Sequence, residues 1–153
     1  MEISSDFADL LRAFNAEAVR YLVIGALAVS FHDQPRATAD FDVWVERSRD
    51  NAERVHRALV KFGAPVEHLS VDDLTSDDLV YMIGAIPLRI DVLTDISGVA
   101  FERAWPRRVG TTVAGVPANV IGLDDLIDNK RAAGRDKDEI DVRRLLRRRE
   151  RSR

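Results

Sequence analysis

Within "TADFDVWV" two carboxylates, Asp40 and Asp42, stand one residue apart in a segment that otherwise alternates as a β-strand. Successive strand side chains point to opposite faces, so Phe41, Val43 and Val45 share one face while Asp40, Asp42 and Trp44 share the other. The apolar set belongs in the core. Two carboxylates roughly 7 Å apart on one face repel by about 2 kcal/mol at an effective dielectric near ~20, a repulsion that an exposed edge would screen away. A third acid, Asp91 in "LRIDVLT", sits between Ile90 and Val92 in the same kind of strand. If the two strands pair side by side, the three carboxylates converge, and a hard divalent cation such as Mg²⁺ is the usual remedy for clustered oxygen ligands. Two such ions about 3.5 to 4 Å apart clamp a transferring phosphoryl group, activating the attacking oxygen and neutralising the leaving one.

Gly25 supplies what that chemistry needs next. It follows the short apolar strand "RYLVI" and precedes "ALAVSFHD", small and apolar enough to form a helix packed directly on a sheet. A residue without Cβ at such a junction lets backbone N–H groups approach a phosphate, and the helix N-terminus favours its negative charge. Taken singly, a strand-ending glycine or an Asp-x-Asp is ordinary; the ordered set of strand, glycine, helix, polar bend, acidic strand and later isolated acid is not.

The remaining elements position these groups. Ser4 or Ser5 caps a first helix whose Phe7, Leu10, Leu11 and Phe14 follow helical spacing. "QPRA" breaks the helix after Gly25, because Pro35 removes a donor and restricts Gln34. The spacing of Ala52, Val55, Leu59 and Phe62 predicts a helix from about Asp50 to Lys61, stopped by "FGAP". "LVYMIGAIPLRIDVLTD" reads as two strands joined by a tight turn around Gly84 and Ala85, and "GTTVAGVPANVI" as a second hairpin turning near Gly115. Two helices close the chain, "LDDLIDNKRAA" and, after Gly134, "KDEIDVRRLLRRRER" with Asp136 as its cap. Strands and helices interleave with hairpins, so the expected class is α/β or α+β with a mixed sheet.

At 153 residues the chain has the size of one domain with a conventional core. Zero cysteines exclude disulfides, Cys-based zinc sites and Cys nucleophiles, and three scattered histidines cannot form a His-rich zinc cluster, so a metal would be held by oxygen. No segment approaches the length of a membrane span and the N-terminus lacks a basic region followed by an apolar run, so a cytoplasmic protein without membrane contact is expected. Seven arginines fall between Arg143 and Arg153 against one acid, Glu150, leaving an acidic body of 16 basic and 25 acidic residues. That basic stretch either approaches nucleic-acid phosphates or is a solvated, frayed helix end whose arginines suit the negative pole of the helix dipole.

"VIGALAV", "TADFDVWV" and "LRIDVLT" resemble the three signature elements of nucleotidyltransferases of the DNA polymerase β type, in which a Gly-Gly or Gly-Ser turn precedes an acidic pair and a third acid follows on another strand. With "PRATADFDVWV" and "LIDNKRAAGRDKDEIDVRRL", the pattern is most similar to the small bacterial nucleotidyltransferases related to AbiEii toxins of type IV toxin–antitoxin systems, over roughly residues 18 to 147. The resemblance implies one polymerase-β-like domain over residues 1–153, a mixed sheet flanked by helices, with a basic C-terminal helix or tail over about 143–153. It makes Gly25 and Ala26 the nucleotide-phosphate turn, Asp40 and Asp42 the metal ligands, and Asp91 a third ligand that helps activate the acceptor. Lys130 matches the late lysine that contacts the triphosphate. Two Mg²⁺ ions and an NTP substrate are implied, with an NMP transferred to a hydroxyl or phosphate acceptor, a tRNA 3′ end or a protein hydroxyl, and an antitoxin as partner. Position 26 is alanine where the family has glycine or serine, so a serine hydroxyl is missing from the phosphate turn.

Other residues admit two readings each. Arg36 and Thr38 either touch phosphate or meet only water. Asp138 and Asp141 share a helix face and either hold Arg135 or Lys130 in place or are ordinary first-turn acids. His32 is a packing or capping residue or a site residue, and Trp44 and Trp105 stack a base or pack. A small-molecule acceptor such as an antibiotic is the nearest enzymatic alternative, and a non-catalytic nucleotide- or protein-binding module is the alternative from another class. Oligomeric state is open.

Overall fold

The computed structural model describes residues 5–35, 38–85 and 88–152. Its elements run α1 (Ser5–Ala16), β1 (Tyr21–Ile24), α2 (Gly25–His32), β2 (Asp40–Val45), α3 (Arg49–Phe62), β3 (Val80–Ala85), β4 (Leu88–Leu93), the single turn α4 (Phe101–Ala104), β5 (Val109–Val113), β6 (Val116–Val120), α5 (Leu123–Ala133) and α6 (Asp136–Arg151). The strands form one mixed six-stranded sheet in the order β3-β4-β2-β1-β6-β5. β2 and β4 are parallel, as are β1 and β6, while β1–β2 and the two hairpin pairs are antiparallel.

Central strand β1 is buried along its whole length, which is why "YLVI" is a continuous apolar run rather than an alternating one. On one side of the sheet the Phe7 ring of α1 stacks on Phe41 of β2, centroids 4.8 Å apart, and α1 packs against α3. The apolar face of β2 is therefore the α1 face. On the other side Trp44 meets Phe101 edge-on at 5.0 Å, α2 lies on β1 and β2, and α5 and α6 pack on each other and on α2. No helix among the described residues is long and apolar enough to cross a membrane.

Local chemistry moves three boundaries from where the sequence pattern put them. The first hairpin does not turn at Gly84 and Ala85: β3 continues through both, pairing Gly84 with Arg89 and Ala85 with Leu88, and residues 86 and 87 between the strands lie outside the described set. α3 starts one residue early because Ser48 Oγ accepts the Asn51 N–H at 3.3 Å. Asp136 is not the cap of α6 but its first residue; the cap is Arg135, whose N–H is taken by Asp138 Oδ2 at 3.2 Å. The second hairpin does turn as expected, with Ala114 and Gly115 both at positive φ (50° and 80°), the conformation that a two-residue turn matched to strand twist demands. Ser4 lies outside the described residues; Ser5 is the first helical residue of α1.

The arginine-rich end is a docked helix rather than a frayed one. Leu145 is fully buried, Arg148 Nε donates to Asp33 Oδ1 at 3.1 Å, and Arg149 pairs with Asp124 at 3.1 Å. These contacts consume charge that would otherwise face solvent.

A single buried amide joins the two central strands where the site strand ends. Asn51 Oδ1 accepts the Arg20 N–H at 2.8 Å, and its Nδ2 donates to Arg20 O at 3.1 Å and Glu46 O at 2.6 Å. Asn51→Ala removes all three bonds from part-buried backbone groups and is expected to lower stability by about 1–3 kcal/mol, read from urea unfolding.

Candidate active site

The pairing of β2 with β4 decides where the acids go. In the observed register Asp42 lies opposite Asp91, flanked by the pairs Asp40–Arg89 and Trp44–Leu93. Directly opposed residues share a face, so Asp40, Asp42 and Asp91 meet on the side away from α1. All three line a cavity of about 1020 Å³, together with Gly25, Ala26 and Thr38.

Gly25 is shaped by its neighbour Asp42. Its φ is +68°, and a Cβ placed there would stand 2.3 Å from Asp42 Oδ2. Any other residue would displace the carboxylate and strain the backbone. The strand-to-helix junction and the central acid thus form one steric unit, with the N-terminus of α2 opening beside the acids.

The electrostatics are those of crowded like charges. Burial, followed by the charges of Asp91 and Asp40, pushes the Asp42 carboxyl up to about 6, against the pull of Arg89 and Lys130. Asp91 is also raised, first by burial and then by Asp40, with Arg89 opposing. Arg89 was invisible as a site residue in the sequence; its signal was its place two residues before Asp91 on the same strand face. Its Nε lies 3.2 Å from Asp91 Oδ1, an ion pair too far out of line for a hydrogen bond, so Asp91 Oδ1 is buried with no hydrogen-bond partner. Among the described residues no three acids or imidazoles stand close enough to enclose a metal ion as placed. The oxygen donors nonetheless fit a hard cation in kind: burial and then the charges of Asp91 and Asp40 disfavour the ionised Asp42, and Asp91 keeps an unused oxygen.

Lys130 sits in a different kind of environment. It is 7% exposed, and its Nζ lies 3.2 Å from Asp138 Oδ1 and 3.3 Å from Asp141 Oδ2. Asp138, fully buried, is pushed up by burial, but hydrogen bonds from Arg135 and Lys130 outweigh that and leave its carboxyl below the ordinary value. The two helix-face acids therefore hold Lys130, while Asp138 also takes both Nε and a terminal nitrogen of Arg135 at 2.7 and 3.2 Å. Lys130 and Arg135 both line the cavity wall opposite the sheet.

The other candidates separate clearly. Thr38 Oγ1 donates to Asp40 O at 2.9 Å and accepts the Asp40 N–H at 3.2 Å, fixing the entry to β2 from the cavity rim. Arg36 lies outside the described residues. His32 Nε2 donates to Ile121 O at 2.7 Å and burial lowers its pKa, so it is a neutral packing residue. Trp44 is 1% exposed and cannot stack a base. Trp105 stacks on Phe101 at 5.6 Å beneath the Arg108 guanidinium, 3.9 Å from the ring, and does not line the cavity.

This architecture has counterparts among solved structures. A provisionally designated nucleotidyltransferase from Thermotoga maritima matches with TM-score 0.58 at 15% identity, over 92% of this chain and 90% of the other. An antigenic nucleotidyltransferase-like protein from Paracoccidioides brasiliensis matches with TM-score 0.53 at 16% identity, over 95% of this chain and 77% of the other. The fold is that of the nucleotidyltransferases. No protein-family model matches the chain, and no curated protein matches it significantly. At these identities the nucleotidyltransferase likeness describes architecture, and the chemistry has to be argued from the side chains.

Two outcomes test this geometry. Asp42 has an ordinary value of 3.8 and a folded value of about 6, so between these pH values the native state binds more protons and stability falls as pH rises. Asp42→Asn is expected to abolish that fall and, in EDTA at pH 8, to be about 2 kcal/mol more stable than the parent, with the difference vanishing near pH 3.5. Lys130→Met leaves Asp138 and Asp141 buried without their shared cation and is expected to lose about 3–5 kcal/mol, read from the urea midpoint.

Proposed function

We propose that this protein transfers an NMP from an NTP to a hydroxyl or phosphate acceptor and releases pyrophosphate. The observation that carries the reading is the β2–β4 register, which sets Asp42 opposite Asp91 with Asp40 alongside, next to a helix N-terminus entered through Gly25. A module that only binds a partner has no use for that repulsion.

Each residue then has a role. Asp40 and Asp42 would hold Mg²⁺, and Asp91 would complete a second metal position or accept the acceptor's proton. The ions, when bound, neutralise charge on the phosphates and on the leaving pyrophosphate. The N–H groups opening α2 at Gly25 and Ala26 seat phosphate oxygens, a role for which the small side chain of Ala26 leaves room. The acceptor oxygen attacks the α-phosphorus, the bond from that phosphorus to the bridging oxygen breaks, and the hydroxyl proton passes to Asp91. A carboxylate whose pKa is raised is the better base for this step. Most of the acceleration comes from positioning and charge neutralisation, as in other phosphoryl transfers.

For the acceptor, the resemblance to AbiEii-like proteins supports a tRNA 3′ end or a protein hydroxyl, in a toxin controlled by an antitoxin protein. A second reading has an observation of its own. Asp77, Asp78 and Asp95 line the same cavity on the β3–β4 side, exposed and without an ion-pair partner among the described residues. Such a wall repels nucleic-acid phosphates and favours a cationic small molecule as acceptor.

Purified protein incubated with each α-³²P-labelled NTP, Mg²⁺ and total cellular RNA, and in parallel with cell protein or with amine-bearing polyols, tests both. Label is expected on one acceptor class, absent with Asp40→Ala and reduced by more than about tenfold with Asp42→Asn. Full activity in Asp42→Asn would sink the mechanism, and tight NTP binding without turnover on any acceptor would favour the binding module.

A further inference from the structure

The cavity above the acids has a second wall, built by α6. Lys137, Ile140, Asp141 and Arg144 recur at intervals of three and four and all line it, so one face of that helix looks across at Asp40, Asp42 and Asp91. On this face Asp141 is turned to Lys130 at 3.3 Å. Lys137 and Arg144 are exposed, and among the described residues neither has a hydrogen-bond or ion-pair partner. That sets them apart from the other cations lining the cavity: Lys130 and Arg135 are tied to Asp138, and Arg89 lies against Asp91.

A polyanion entering this cavity meets opposite charge on one wall and like charge on the other. The sheet wall carries Asp40, Asp91, Asp77 and Asp78; the α6 wall carries the two unspent cations. Two helical turns separate Lys137 from Arg144, about 10 Å along the axis, a gap that their long side chains can close around one chain of phosphates. Arg144 offers a planar fork for two phosphate oxygens and Lys137 a mobile point charge. Resting on the nucleotidyl-transfer reading above, we infer that Lys137 and Arg144 grip the polyphosphate of the incoming NTP, and that Lys130 is a positioning residue. By locking Asp138 and Asp141 of α6 to α5, Lys130 aims the gripping face at the acids.

Equilibrium binding of tripolyphosphate and of a fluorescent ATP analogue with Mg²⁺ tests the assignment. The parent protein is expected to bind both in competition. Lys137→Ala and Arg144→Ala are each expected to weaken both ligands by about tenfold with unchanged Tm, and Lys137→Arg to restore most of the loss. Arg147→Ala removes the same charge from a part of α6 that does not line the cavity, and is expected to change affinity by less than about twofold. Unchanged affinity in both cavity variants, or an equal loss in Arg147→Ala, overturns the assignment while leaving nucleotide binding in place. A parent protein that binds neither ligand overturns the assignment and the nucleotide reading together.

Discussion

Parallel pairing of β2 with β4 in one register is the constraint on which the rest of this molecule depends. It sets Asp42 against Asp91 on a shared face, and a one-residue slip of either strand would turn that strand's acid into the α1 core and bring its apolar set out, Phe41 and Val43 of β2 or Ile90 and Val92 of β4. Burial of Phe41 under Phe7, with Val43, Ile90 and Val92 in the same core, fixes the register, so the apolar face of the strands enforces the repulsion on the polar one. Asn51, Thr38 and the Trp44–Phe101 contact hold the ends of β2 in the same sense. Like charges stay together here because the hydrophobic core on the reverse side leaves them nowhere else to go.

Around that pair the structure separates two jobs that a row of charged residues in a sequence cannot distinguish. Lys130, Asp138 and Asp141 form a nearly dry cluster joining α5 to α6, with the exposed Arg135 paired to Asp138 at its edge, so that each buried charge is answered. Removing one member of such a cluster does more harm than the whole cluster does good, because the remaining charge stays buried. Lys137 and Arg144, on the same helix but in solvent, lack such partners among the described residues. The buried set is suited to holding geometry and the exposed set to meeting a ligand.

Most of the fold was legible because it is written in periodicity. Alternation in "DFDVWV" and "LRIDVL" assigned the faces of β2 and β4, and the three-and-four spacing of Phe7, Leu10, Leu11 and Phe14 assigned the buried side of α1. What periodicity cannot supply is the identity of the neighbour. Arg89 became a site residue only when β4 was laid beside β2, and Trp44 lost its open face only when α4 was folded over it. The cap of α6 was misplaced by one residue because Asp138 reaches back to Arg135, a contact made in three dimensions by a residue that also binds Lys130. In the arginine run composition registers seven like charges, but not that the helix is seated by Leu145 and that two of them, Arg148 and Arg149, pair with Asp33 and Asp124.

Gly25 shows how the constraint reaches the opening of the cavity. Because Asp42 must face the same side as Asp91, its carboxylate fills the space where a side chain at position 25 would lie, and the chain passes through a left-handed conformation there. That passage turns the end of β1 directly into α2, so the free N–H groups of the helix start emerge next to the acids instead of a loop away. A site attractive to cations and a helix terminus attractive to anions are thereby set side by side by one steric contact. In the metal-free protein Asp42 works against folding over the pH range in which it is ionised, and any cation that binds the native cluster but not the unfolded chain returns that stability by mass action. The geometry that makes the acids costly to the empty protein is the same geometry that makes them receptive.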